Sequence, residues 1–301
     1  MKYELAKVTA GSRGFVEISK EEYSQIKSAN ANLLEALFIE EKFNVVIDNY
    51  LELETDLLAC AARYMVRPYR DYTWSRNEKN LVNRRFANLL SACRSYLDQT
   101  RSHLCNIFGR KSNAIAEFEK HKSQQYDQYL GYRVMKFLRN YVQHRDFPVY
   151  ITWYLEPANL KLRISLEDLE EDKEVRKYEK PVLDEIKKKY GNEFDVKPFI
   201  RDYIESLAHI HEGIRERLKV DVHGWEQTIL GAMNQFQEKY PQESSSIGLA
   251  AIMKDDDETY RETERLTKNT IEYRKQLEKK NRTLDNLAKR YVTGEVIEPD
   301  A

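Results

Sequence analysis

The sequence predicts an all-α protein carrying one small β-hairpin. The 301-residue chain has only 10 Gly and 7 Pro, against average use of roughly 7% and 5%, and helix interiors disfavour both residues. Charged residues make up 33% of it, above the usual ~25%, which suits long solvated helix faces. Apolar residues recur at helical spacing over most of the length. A hydrophobic content of 41% excludes wholesale disorder.

Residues 1–18 read as an N-terminal arm or short strand, from the weak alternation of KYELAKV and the punctuation at Gly11 and Gly14. Ser19-Lys20-Glu21-Glu22 is a capping-box pattern that opens a helical domain over 19–240. The first helix runs to Val66, with a break near Phe43–Asn44 as an option, and Arg67-Pro68 ends it. A basic-aromatic loop, 69–76, leads into a helix over 77–107, with Gly109 as its C-cap and Ser112 as the next N-cap. Residues 113–144 read as one helix or as two broken near 122–126. VYITWYL and LKLRISL flank Pro157-Ala158-Asn159 and predict a hairpin, 149–155 with 160–166. Helices are expected again over 168–190, 197–219 and 223–239. Residues 241–254 read as a linker, and 255–301 as a long charged C-terminal helix and tail. Asp255, Asp256, Asp257 and Glu258 would occupy that helix's first turn, where the dipole favours negative charge. Its flawed heptads allow either a packed terminal helix or a self-associating coil.

Lys and Arg total 49 against 50 for Asp and Glu, a net charge of -1, so any nucleic-acid site must be local. No run of about 18 apolar residues predicts a membrane span, and Met1–Val8 lacks the apolar core of a signal peptide. Cys60, Cys93 and Cys105 have no metal-ligand spacing and read as reduced thiols of a cytoplasmic protein. His209 and His211 are two apart on a helix and point to different sides, so that pair is not expected to chelate, and no metal or cofactor is expected. Arg67, Arg70 and Arg76 with Tyr69, Tyr72 and Trp74 could hold RNA or simply join two helices. No phosphate-binding GxxxxGK[ST] loop, GxGxxG or GxSxG is present, which removes support for nucleotide-driven, dinucleotide and α/β-hydrolase chemistry.

The stretch Gln128–Arg145 (QYLGYRVMKFLRNYVQHR) is the most informative. On a helical projection Arg139, Tyr132, Gln143, Lys136, Tyr129, Asn140, Arg133 and His144 share an arc of about 140°. The apolar residues fill the remainder, and the helix should end near His144. The arc carries cations, phenols, amides and an imidazole but no carboxylate, a composition suited to phosphate.

Within it, Arg139-Asn140-Tyr141-Val142-Gln143-His144 reads R-N-x3-H. This resembles the R-x4–6-H signature of the HEPN superfamily (higher eukaryotes and prokaryotes nucleotide-binding domains), in which a polar residue often follows the Arg. A second hit, Arg217…His223, is followed by Leu218 and is taken as coincidence. The resemblance implies a HEPN-like helical bundle acting as a metal-independent endoribonuclease, of the toxin or anti-phage type. It implies a homodimer whose two motifs line one cleft, RNA as substrate, and a nucleotidyltransferase as a possible antitoxin. Arg139 and His144 would then be catalytic with Asn140 in support, and Arg133, Lys136, Tyr132, Tyr129 and Gln143 would bind RNA. A non-catalytic module binding RNA, nucleotide or protein, or a scaffold joined through the tail, stands as the alternative.

Overall fold

The structure is a computed structural model. It describes residues 1–8, 14–67, 71–144, 149–153, 160–243, 247–255, 257, 259–282 and 284–290, with backbone alone at 143, 144, 149–153, 160, 174, 176 and 178. Among the described residues the fold is mostly helical and holds two small antiparallel sheets. No helix among the described residues is long and apolar enough to cross a membrane.

The chain divides into two compact units. The first comprises Met1–Asn44, Tyr96–Phe118 and Gly213–Arg282. Its sheet has the order β2-β1-β6-β7, from β1 (Lys2–Lys7), β2 (Phe15–Glu17), β6 (Leu249–Lys254) and β7 (Tyr260–Arg265). The N-terminal arm is therefore a paired strand. Leu5 lies opposite Ala251, and Ala6, opposite Ala250, packs with Ala250 and Ile252 in the core.

The expected linker is corrected at 249–254: this is the inner strand β6, whose first four residues are buried. A strand covered on both faces needs no polar alternation, so the run LAAI hides its strand character. The expected tail helix is corrected too. Asp255 opens a turn, its carboxylate accepting the Asp257 and Thr259 N–H groups at 3.1 and 2.8 Å. The charged strand β7 follows, a composition that protects a sheet edge. Tyr23 and Lys27 reach the Glu262 carboxylate of β7 at 3.1 and 2.6 Å. Among the described residues of this region α-helix remains only over α9 (Asn269–Lys280), beside one 3-10 turn at Leu287–Lys289, so they hold no long coil for self-association.

Helix α1 (Lys20–Val66) supplies residues to both units and shows no break at Phe43, which is buried. Its capping box forms as expected: Ser19 Oγ accepts the Glu22 N–H at 3.1 Å, and Glu22 accepts the Ser19 N–H at 2.7 Å. Helix α2 (Tyr72–Phe108) starts inside the expected loop because Asp71 caps it, accepting the Trp74 N–H at 2.7 Å. Gly109 ends it with φ 85°, a left-handed conformation glycine adopts without cost. Helix α3 (Asn113–Gln128) follows Ser112, yet the Ser112 hydroxyl has no partner among the described residues, so it is not a side-chain cap.

The second unit comprises Val45–Ser95, Glu119–Glu212 and Thr283–Ala301. Here α4 (Leu130–His144) follows α3 with the break at Tyr129 instead of 122–126. The hairpin forms from β3 (Val149–Trp153) and β4 (Leu160–Ser165), with Ile151 opposite Leu162; its turn lies outside the described residues. The strand β5 (Glu193–Asp195) adds to β4. One expected helix is three: α5 (Leu166–Glu170), α6 (Lys173–Tyr178) and α7 (Lys180–Tyr190). Conversely, two expected helices are one, α8 (Lys197–Lys239), which runs on through the buried Val222 and gives residues to both units.

Candidate functional site

Helix α4 buries Val134, Met135, Phe137 and Leu138 and exposes Lys136 and Asn140, so its two-sidedness is real. The exposed arc is narrower than the sequence suggests. Tyr132 and Arg139 lie about 20° apart at one edge of it. That edge turns into protein. Tyr132 is 4% exposed, its ring edge-on to Tyr203 with centroids 5.1 Å apart. Burial pushes its phenol up to about 12. The RNA-binding role expected for Tyr132 is corrected accordingly: its ring has no free face for a base.

Glycine allows this close approach. A Cβ on Gly131 would lie 2.5 Å from Asp202 Cβ and 2.8 Å from the Phe199 carbonyl oxygen, both on α8. Only a bare Cα fits there without moving α8's backbone.

Arg133 also differs from expectation. Its Nη2 donates to both oxygens of Glu185 on α7, at 2.9 and 2.8 Å. The acid absent from α4's face arrives from another helix, so most of this cation's charge is already matched. Lys136 remains exposed, its Nζ 4.6 Å from the centre of the Tyr126 ring.

Arg139 is half-buried. Its Nη1 donates to Asn140 Oδ1 at 2.9 Å, while its Nε has no hydrogen-bond partner among the described residues. No carboxylate among those residues pairs with it. Asn140 is exposed beside it, and His144 lies one turn further on, the last described residue of α4. The side chains of Gln143 and His144 lie outside the described residues.

Tyr129 belongs to a different neighbourhood. Its ring lies 6.3 Å from that of His209, and its phenol is raised first by burial, then by Glu205, Asp202 and Asp285. A phenol among carboxylates is poorly placed to meet a phosphate, which corrects its expected RNA-binding role. This neighbourhood escaped the sequence reading. Among the described residues, ligand atoms of Glu205, His209 and Asp285 lie within 4.8 Å of one another. His211, by contrast, is buried. Glu205 and His209, four apart on α8, were the readable half of the signal; Asp285 is 76 residues from His209, and nothing local announces it.

The chain matches no protein-family model, no curated protein and no solved structure.

Proposed function

We propose that the chain is a HEPN-like, metal-independent endoribonuclease in which Arg139, Asn140 and His144 act at the end of α4. The observation that carries this reading is the state of Arg139: a guanidinium turned to a neighbouring amide, without a carboxylate among the described residues. Such a group is free to exchange its amide contact for a phosphate oxygen, and a guanidinium fork suits that geometry.

The chemistry follows from the residue types. The RNA 2′-hydroxyl attacks the adjacent phosphorus, and the 5′-oxygen leaves. An unperturbed imidazole titrates near 6.5, so a histidine at this position can take one proton or give the other. Arg139 stabilises charge on the phosphorane, and Asn140, four residues before His144, orients the imidazole or holds a phosphate oxygen. The exposed Lys136 offers a backbone contact. One chain supplies one such histidine, so acid and base together call for two chains, as the R-N-x3-H resemblance implies. A cytoplasmic toxin or defence role, held in check by a nucleotidyltransferase, belongs to the same proposal.

The test is cleavage of end-labelled RNA in excess chelator by the wild type, His144→Ala and Arg139→Ala. Each variant should lose about 100-fold or more in rate while keeping its fold. A wild type that retains RNA on a gel without cutting it would favour the non-catalytic binding module instead.

A further inference from the structure

The second unit holds a group whose chemistry the proposed nuclease does not use. Glu205 and His209 sit one turn apart on the same face of α8. Asp285 comes to them from the segment after α9, its Oδ1 3.0 Å from His209 Nε2. That segment is held against α8 at two further points. Leu287 N–H donates to Glu205 Oε2 at 2.7 Å, and Arg201 Nη1 donates to the Arg290 carbonyl at 3.0 Å. Asn286, between Asp285 and Leu287, has φ 56°, the left-handed turn that presents Asp285 and the Leu287 amide to the same side.

We propose that Glu205, His209 and Asp285 form a binding site for one first-row divalent cation of the zinc class, which clasps residues 284–290 to α8. The donor set is one imidazole and two carboxylates, with no thiolate, which suits zinc and its borderline neighbours better than calcium or copper(I). Donor atoms around a tetrahedral zinc stand about 3.4 Å apart. The present donor atoms already lie within 4.8 Å of one another. Charge points the same way. The two carboxylate ligands and the nearby Asp202 face one imidazole, with Lys189 as the opposing charge acting on Asp202. Asp285, its side chain 63% exposed, leaves the site open to solvent, so water completes the coordination. The cation replaces the His209–Asp285 hydrogen bond with two bonds to itself.

The site is independent of the ribonuclease reading, and its test needs no RNA. Chelator-stripped full-length protein is titrated with Co2+, whose absorption spectrum separates nitrogen and oxygen ligands from thiolate, and then with Zn2+ in competition. The expected result is one Co2+ per chain, with ligand-field bands and no thiolate charge-transfer band. Binding should weaken more than about tenfold in His209→Asn and in Asp285→Asn. Cys105→Ser should bind as the wild type does. Trypsin should cut after Lys289 and Arg290 more slowly with the metal present in the wild type and in Cys105→Ser, but not in His209→Asn or Asp285→Asn. Asp285 is exposed and outside the helices, so Asp285→Asn tests the site even if His209→Asn fails to fold. Absence of binding, a thiolate spectrum, or undiminished binding by folded Asp285→Asn would overturn the proposal.

Discussion

Cys60 shows how far a single residue's surroundings can alter its chemistry. Its thiol is fully buried and donates to Glu78, which also takes two hydrogen bonds from Arg63 at 2.9 and 2.8 Å. Burial, then Glu78, pushes the thiol up to about 12. A reduced, inert cysteine is what the sequence suggests; the carboxylate beside it could not be foreseen from an 18-residue separation. For Glu78, burial acts to raise the carboxyl, but the hydrogen bonds from Arg63 and Cys60 outweigh it and hold it below the ordinary glutamate value. A carboxyl lowered on folding stabilises the protein above its unfolded value, and that contribution is lost as pH falls through the folded one. Glu78→Gln should therefore cost about 1–3 kcal/mol at neutral pH. The deficit against wild type should stay constant down to about pH 5 and shrink in stronger acid. Urea unfolding across pH measures both. A deficit that grew in acid would contradict the assignment.

At the scale of the element, α4 was legible in its apolar half, because 3.6-residue periodicity reports burial directly. Its polar half was less so. Periodicity cannot tell solvent from a polar neighbour, and so Tyr132 and Arg133 read as free when α8 and Glu185 already hold them. Gly131 read merely as part of the apolar arc, though it sets how closely α4 and α8 approach. Gly131→Ala should destabilise by about 1–3 kcal/mol, despite alanine's better helix propensity, because the new methyl meets the Phe199 carbonyl oxygen. A neutral or stabilising result in thermal unfolding would mean that α8 yields there at no cost.

For the whole molecule, helical content was readable and the first unit's sheet was not. Two of its strands gave no usual signal: β6 is apolar on both faces, and β7 is almost wholly charged or polar. The pairing of β6 with β1 joins residues far apart in the chain, Lys2 with Lys254 and Lys7 with Leu249. Such long-range registers carry no mark in the local pattern of either partner. The consequence is that the first residues are structural. Leu5 is fully buried on β1, and Leu5→Ala should cost about 2–5 kcal/mol in chemical denaturation. An effect under about 0.5 kcal/mol, usual for exposed surface positions, would show β1 to be dispensable. The candidate site was legible only in part for the same reason: Arg139, Asn140 and His144 are neighbours in sequence, whereas Glu205, His209 and Asp285 meet only through folding.

The ribonuclease reading rests on attack by the RNA's own 2′-hydroxyl, and the ends of the products report this directly. Purified protein is incubated with labelled RNA in excess chelator, alongside the same RNA carrying a single 2′-deoxy substitution at the cut. The account predicts a 2′,3′-cyclic phosphate and a 5′-hydroxyl, no cut at the substituted position, and loss of both products in His144→Ala. A 3′-hydroxyl with a 5′-phosphate, cleavage at the deoxy position, or full activity in His144→Ala would contradict it.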